Sequence, residues 1–189
     1  MLEACGIGLT IAKGEIVGLT GPTGVGKTTL GRALAGLPSR WPGAVALDGG
    51  PVALGAVQYL HQHPILAMNP RWHLRRIVEE AGPHDPDLAA RLGIAPAVLD
   101  RFPHEASGGQ LQRISVLRGL AARPRFLIAD EITAPLDAIT QARIWKALAA
   151  RPGIGILAIS HDRALLDRIA VRTVVLKPQP IVAAGRARY

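Results

Sequence analysis

The sequence predicts an α/β fold in which helices cover both faces of a largely parallel β-sheet. Three observations indicate this fold. Short apolar runs with the length of buried strands alternate with longer segments of helical periodicity. Glycine and proline residues separate most of these segments. Apolar residues make up 49% of the 189 residues but aromatic residues only 4%, so Ala, Val, Ile and Leu must form the core of a single domain.

The first elements are a strand, a loop and a helix. Residues 15–20 are a short β-rich run, and residues 28–36 have the pattern of a helix that ends before Pro38. Residues 44–48 and 52–59 resemble two further short strands, which a glycine–proline turn separates. We expect both to lie near the first strand.

The middle of the chain, residues 64–106, predicts a small helical insertion. Prolines divide it into short helical segments such as residues 74–81 and 86–92. These prolines stand at positions 64, 70, 83, 86, 96 and 103. Residues 1–63 and 107–189 are then expected to form the α/β core of the same domain.

The second half of the chain returns to alternating helices and strands. Residues 110–122 and 139–150 have helical periodicity. Residues 125–130 and 155–161 are apolar runs typical of buried strands, and the first of them ends on an acid. Because strands and helices alternate, the strands are expected to be mostly parallel.

Charge and cysteine content narrow the class of protein. The basic residues behind the formal net charge of +8 are scattered, which favours a solvated arginine-rich surface over a basic face for RNA, DNA or acidic lipid headgroups. Cys5 is the only cysteine, so a disulfide within the chain is impossible and a cytosolic protein is expected. The start of the chain lacks a secretion-signal pattern, and the apolar runs are too short to span a bilayer. We therefore expect a cytosolic chain that can contact a membrane protein but cannot cross a membrane, without direct binding of nucleic acid.

A phosphate-binding loop is predicted between the first strand and the first helix, at Gly21, Pro22, Thr23, Gly24, Val25, Gly26, Lys27, Thr28 and Thr29. Its glycines let backbone N–H groups converge on phosphate oxygens, and the helix N-terminus adds a favourable dipole. Lys27 is expected to bind the outer phosphates and assist catalysis, and the Thr28 hydroxyl to bind Mg²⁺. A glycine-rich turn that only matches the pattern is the alternative, which the flanking strand and helix disfavour. The chain is therefore expected to be a P-loop NTPase that uses ATP and Mg²⁺.

Two adjacent carboxylates, Asp130 and Glu131, stand at the end of the strand of residues 125–130. A strand end is where a phosphate-loop ATPase needs an acid for Mg²⁺. Asp130 is expected to hold the metal, and Glu131 to polarise a water molecule against the terminal phosphate. Taken alone, the pair could be a helix cap or surface acids, but the upstream loop favours the catalytic interpretation.

A second helix end with phosphate-binding potential is formed by Ser107, Gly108, Gly109 and Gln110. A serine and two glycines before a helix are, in isolation, an ordinary loop and cap. Their interpretation therefore depends on the other motifs.

These motifs, in their order along the chain, resemble an ATP-binding cassette (ABC) domain over nearly its whole length. The resemblance implies a RecA-like P-loop NTPase core with a small helical insertion and a reduced N-terminal antiparallel β part. It also implies roles for three further residues. Gln62 matches the glutamine loop, which in relatives contacts Mg²⁺ and follows the transmembrane partner, while Asp137 matches the aspartate loop and His161 the switch histidine beside the terminal phosphate. In isolation, Gln62 and His161 could be ordinary polar or loop residues.

The resemblance further implies that two cassettes, identical or not, bind ATP between the phosphate loop of one and residues 107–110 of the other. Residues 69–71 and 101–105 resemble the peptide and nickel importer branch, although they could be turn-rich connectors. The implied partners are transmembrane permeases, and the implied place is the cytoplasmic face of a bacterial-type membrane. Two alternative functions stay open. One is a soluble ABC ATPase that acts on nucleic acid or ribosomes, and the other is a subunit of a non-transport complex, as in phosphonate breakdown.

Two features depart from the family's pattern. Relatives carry an extra strand and an aromatic residue that stacks on adenine before the phosphate loop, whereas the first aromatic residue here is Trp41. Ala106 replaces the usual leucine before the Ser-Gly-Gly segment. Neither departure removes a catalytic group, but the first leaves adenine binding without an assigned residue.

Overall fold

The computed structural model describes residues 1–4 and 7–178. Its strands are β1 (Leu2–Ala4), β2 (Leu9–Ile11), β3 (Ile16–Thr20), β4 (Val45–Leu47), β5 (Val57–Leu60), β6 (Phe126–Asp130), β7 (Gly155–Ile159) and β8 (Arg172–Val175). Its helices are α1 (Lys27–Leu34), α2 (Leu74–Glu79), α3 (Pro86–Arg91), α4 (Pro96–Leu99), α5 (Gly108–Ala121), α6 (Ala138–Ala149) and α7 (Arg163–Ile169). Cys5 lies outside the described residues, as does the end of the predicted core, residues 179–189.

Five strands form a parallel sheet in the order β5-β6-β7-β3-β8. All residues of β6 and β7, which lie inside this sheet, are buried. A smaller antiparallel sheet has the order β2-β1-β4. The predicted α/β fold, with a largely parallel sheet and a small antiparallel part, is therefore confirmed.

Both faces of the parallel sheet are covered by other elements. Side chains alternate between the two faces along each strand, so neighbouring residues enter different hydrophobic clusters. Phe126 and Ile128 of β6 belong to a hydrophobic cluster with α1 and the antiparallel sheet. Leu127 and Ala129 belong to a second cluster, on the opposite face, with side chains of α2 to α7. The cores on the two faces are built mainly from aliphatic residues, as the composition predicts.

Every element between residues 64 and 106 is helical. Two 3₁₀ turns, Pro64–Ala67 and Pro103–Glu105, accompany α2, α3 and α4. Helix α2 packs on α5, and α3 packs on α6. The division of the chain at residues 64 and 106 stays a prediction. Within the described part of the chain, no helix is both long enough and apolar enough to cross a membrane.

Several short elements differ from the sequence prediction. β5 begins at Val57 rather than at residue 52, because residues 54 and 55 form a turn. Neither β4 nor β5 pairs with β3, although Leu47 and Val57 share its hydrophobic cluster. β1, β2 and β8 were not predicted, because runs of three or four residues are too short to establish a period. Helix α7 was not predicted either.

Candidate functional site

The phosphate loop joins β3 to α1 at the carboxyl edge of the parallel sheet. Gly26 caps α1 in a left-handed conformation, with φ of 100°. Gly21 has φ of 152°, and a Cβ atom there would lie only 2.6 Å from the carbonyl oxygen of Leu176. Both positions therefore favour glycine, and the first N–H groups of α1 point towards the place where an anion can bind.

Lys27 lies inside the loop, with a relative exposure of 7%. Its ammonium group donates hydrogen bonds to the carbonyl oxygens of Gly21 (2.9 Å) and Pro22 (3.0 Å). The neighbouring Thr28 is exposed. The loop thus holds a buried positive charge next to an open hydroxyl group, an arrangement suited to a phosphate chain with a cation.

Asp130 ends β6 at the same edge of the sheet and is 4% exposed. Its Oδ2 accepts a hydrogen bond from the Tyr59 hydroxyl, whereas its Oδ1 is buried and has no hydrogen-bond partner among the described residues. Burial and the adjacent carboxylate raise the pKa of Tyr59, so that its hydroxyl stays protonated and remains a donor. An unpaired buried carboxylate oxygen is unfavourable, and Mg²⁺ prefers such oxygens as ligands, so Asp130 fits the predicted metal.

Glu131 and His161 meet just beyond the ends of β6 and β7. Glu131 has φ of 52°, which is uncommon for a residue other than glycine, and its N–H donates to the carbonyl of Ile159 at 3.0 Å. Its Oε1 is 3.5 Å from Nε2 of His161 but is hydrogen-bonded to none of the described residues. Burial raises the pKa of Glu131, and His161 opposes that shift. A strained backbone and a partly buried carboxylate with a shifted pKa are typical of functional sites.

Four predicted residues therefore lie at one edge of the sheet, because β6, β7 and β3 are consecutive neighbours in it. They are Lys27, Asp130, Glu131 and His161. Gln62 follows β5 by two residues at the same edge, and its side chain is exposed. Ligands bind at this edge in open parallel sheets, where the strands end and helices begin.

Residues 107–110 form the N-terminus of α5, as a capping box. The hydroxyl of Ser107 accepts a hydrogen bond from the N–H of Gln110 (3.3 Å), and the Gln110 side chain accepts one from the N–H of Ser107 (2.9 Å). Within residues 1–4 and 7–178, neither a hydrogen bond nor an ion pair joins this segment to the phosphate loop. In the described part of the chain, the two predicted phosphate sites are thus not connected by either kind of contact.

Asp137 caps α6, where its Oδ1 accepts hydrogen bonds from the N–H groups of Thr140 (2.9 Å) and Ile139 (3.0 Å). These hydrogen bonds lower the pKa of Asp137, and the largest contribution comes from Thr140. Its carboxylate is therefore ionised, and Oδ1 is already hydrogen-bonded to the N-terminus of α6.

Two aromatic residues near the site have no role in the sequence prediction. Cζ3 of Trp41 lies 3.8 Å from the position of a Cβ atom on Gly26, so this ring packs beside the phosphate loop. Tyr59 hydrogen-bonds Asp130. The contact of Tyr59 could be found only from the pairing of β5 with β6, which the sequence prediction did not specify.

The sequence is similar to proteins of one family. A profile described as ABC transporter matches residues 5–134. The nickel import ATP-binding protein NikE of Rhodospirillum rubrum is 36% identical over 199 residues, which cover 92% of this chain and 72% of that protein. A Brucella abortus protein that is named provisionally as a peptide import ATP-binding protein is 35% identical over 205 residues, which cover 95% of this chain and 61% of that protein. The chain thus spans about two thirds of the length of these relatives.

Solved structures agree on the fold. An ATP binding subunit of an ABC transporter superposes with a TM-score of 0.76 at 23% identity, covering 90% of this chain and 78% of that one. The ATP-binding cassette MJ0796, in a dimeric post-hydrolysis structure with ADP and Pi, gives a TM-score of 0.76 at 22% identity and covers 90% of this chain and 84% of its own. From the family match and the nickel import relative, we conclude that this chain belongs to the ABC transporter family.

Proposed function

We propose that this chain is the ATP-binding and ATP-hydrolysing subunit of an ABC importer, which energises uptake of peptides, nickel or metal-chelate complexes through separate membrane permeases. The observation that carries the ATPase part is the grouping of Lys27, Asp130, Glu131 and His161 at one sheet edge. The names of the two relatives, in nickel import and in peptide import, support the importer part.

In this proposal the phosphate loop binds the phosphates of ATP. Backbone N–H groups of residues 23–29 donate to phosphate oxygens at the start of α1. Lys27 exchanges its hydrogen bonds to Gly21 and Pro22 for bonds to the outer phosphates. The exchange keeps its buried ammonium group paired throughout.

The acids and the histidine act on the terminal phosphate. Thr28, Gln62 and Asp130 hold Mg²⁺, which neutralises charge on the phosphate oxygens when it is bound. Glu131 polarises a water molecule, whose oxygen attacks the terminal phosphorus while the bond to the bridging oxygen breaks. His161 lies next to Glu131, in position to contact the same phosphate. The products are ADP and inorganic phosphate.

A second cassette, identical or not, completes each ATP site. The helix end at Ser107, Gly108, Gly109 and Gln110 is not joined to the phosphate loop of its own chain, which supports its use by the partner. Asp137, at the N-terminus of the next helix, lies at the same proposed interface. ATP then binds two cassettes together, and hydrolysis lets them separate.

The proposed permease contact lies on the helical region that follows Gln62. Ile65 and Leu66 are adjacent apolar residues with relative exposures of 45% and 80%. Exposed apolar neighbours of this kind favour contact with another protein. We place the chain by this contact at the cytoplasmic face of the membrane.

Co-purification tests this assignment. The chain is expressed with the permeases encoded beside its gene, and membranes are assayed for the chain and for ATP hydrolysis. We expect Leu66→Glu to reduce recovery of the chain with the permeases, whereas Leu54→Glu, at a still more exposed position, retains it. A wild-type chain that stays wholly soluble in the presence of these permeases would refute the importer assignment.

A further inference from the structure

Tyr59 and Asp130 lie on the same face of two neighbouring parallel strands. Tyr59 of β5 is opposite Ile128 of β6. Asp130 follows Ile128 by two residues, so its side chain leaves the sheet on the same side. The Tyr59 hydroxyl reaches across this face and donates a hydrogen bond to Oδ2 of Asp130.

The ring of Tyr59 is held by its neighbours. A Cβ atom on Gly31 of α1 would lie 3.3 Å from Cε2 of Tyr59, so the missing side chain lets α1 pack closely on the ring. His61 approaches the ring edge to face, with 4.8 Å between the ring centroids. The hydroxyl group therefore has a defined position over the end of β6.

The hydrogen bond makes the two oxygens of Asp130 different. Oδ2 is occupied by Tyr59, and Oδ1 is buried without a hydrogen-bond partner within the described part of the chain. Rotation of the carboxylate away from this arrangement would leave a partly buried phenol unpaired, which is unfavourable.

We infer that Tyr59 is a positioning residue, which orients the Asp130 carboxylate so that Oδ1 is presented to the Mg²⁺ of Mg-ATP. This inference rests on the proposed function, in which Asp130 holds the metal. Preorganisation of this kind strengthens metal binding, because the ligand does not need to be ordered when the ion arrives. The hydroxyl contacts only the carboxylate in this scheme and has no direct role in binding ATP.

Tyr59→Phe removes the hydroxyl and keeps the ring that packs against Gly31. Binding of Mn²⁺ to the purified chain is measured by electron paramagnetic resonance with a non-hydrolysable ATP analogue present, and analogue binding is measured separately in EDTA. We expect the variant to bind Mn²⁺ about threefold to tenfold more weakly, as for the loss of one hydrogen bond, with metal-free binding of the analogue unchanged. Trp145→Phe is the matched control, since it removes a buried hydrogen bond, to Thr133 (3.1 Å), that does not involve the Asp130 carboxylate.

The outcomes separate positioning from general stability. Unchanged or tighter Mn²⁺ binding in Tyr59→Phe would overturn the inference, and tighter binding would mean that the hydroxyl competes with the metal. Parallel loss of metal-free analogue binding, or equal weakening of Mn²⁺ binding in Trp145→Phe, would reduce Tyr59 to a structural residue. If the wild-type chain bound neither Mn²⁺ nor the analogue, the proposed function itself would fail.

Discussion

Oε1 of Glu131 lies 3.5 Å from Nε2 of His161, although the two residues follow different strands. The contact arises because β6 and β7 are parallel neighbours and both residues stand just after their carboxyl ends. The N–H of Glu131 also donates to the carbonyl of Ile159, which ties the turn after β6 to β7. A partly buried carboxylate is thus held beside an exposed histidine at the edge where the phosphate loop begins.

Glu131→Gln is expected to reduce ATP hydrolysis by about a hundredfold to ten-thousandfold in the assembled complex, because the amide cannot act as a base. ATP binding should be retained, since the backbone and Lys27 are unchanged. Phosphate release under single-turnover conditions and equilibrium binding of ATP measure the two quantities. Glu3→Gln, at an acid outside the site, serves as the control, and phosphate release at the wild-type rate in Glu131→Gln would rule out the catalytic role.

The same substitution is expected to stabilise the chain at neutral pH. Burial raises the pKa of Glu131 in the folded state, so the carboxyl contributes stability below its unfolded pKa of 4.5 and loses that contribution as the pH rises through the folded value. A neutral amide avoids this loss. Thermal unfolding without nucleotide should therefore give a higher Tm for Glu131→Gln at pH 7, by about 2–4 °C for each kcal/mol gained at this chain length.

The pH dependence of that difference is the sharper test. Below pH 4.5 the wild-type carboxyl is protonated in both states, so the Tm values of the two proteins should converge. A Tm advantage that grows as the pH falls would contradict the assignment of burial as the cause.

Lys27→Met is expected to weaken ATP binding by at least about tenfold, the loss for a charge-assisted hydrogen bond. The substitution keeps most of the buried side-chain volume but leaves the carbonyls of Gly21 and Pro22 without their donor, so a modest loss of stability should accompany it. Isothermal titration with ATP measures the affinity, and Lys13→Met, at an exposed lysine before β3, is the control. Equal ATP affinities in the two variants would show that Lys27 does not bind the phosphates of ATP.

The sequence predicted the part of the fold in which local pattern and tertiary environment agree. Buried strands such as β6 and β7 are continuous apolar runs, and the phosphate loop is marked by its glycines and its lysine. The strand-end positions of Asp130 and Glu131 followed from these runs. Short elements, such as β1 with three residues and β8 with four, carry too few residues for a periodic signal.

Contacts between distant segments could not be predicted in this way. The bond from Tyr59 to Asp130 depends on the register of β5 against β6, and the 3.5 Å contact of Glu131 with His161 depends on the turns after two strands. The left-handed backbone of Glu131 had no signal in the sequence, because non-glycine residues adopt it only where the surrounding structure compensates.

Asp85 provides a test of how the helical region is attached to the rest of the domain. Its Oδ1 caps α3 by accepting from the N–H groups of Asp87 (2.9 Å) and Leu88 (3.2 Å), and its Oδ2 accepts from Nη2 of Arg151 (2.7 Å), beyond the end of α6. Asp85→Ala removes both functions and is expected to lower the free energy of unfolding by about 1–2 kcal/mol, as for a lost N-cap with a small contribution from the exposed ion pair. Asp85→Asn keeps the capping oxygen and should lose less.

The pH dependence separates these contributions. The hydrogen bond from Arg151, followed by that from Leu88, lowers the pKa of Asp85, so its contribution is present above the unfolded pKa of 3.8 and is lost as the pH falls through the lower folded value. Urea unfolding should therefore show the gap between wild type and Asp85→Ala at pH 7 and its decrease towards the acid limit. A gap that persists unchanged once the carboxylate is protonated would mean that Asp85 acts through packing rather than through its charge. This side chain is hydrogen-bonded to α3 and Arg151, and to none of the predicted site residues within the described part of the chain, so ATP affinity should be the same in all three proteins. A loss of affinity shared by both variants would instead indicate that the attachment of α3 supports the nucleotide site.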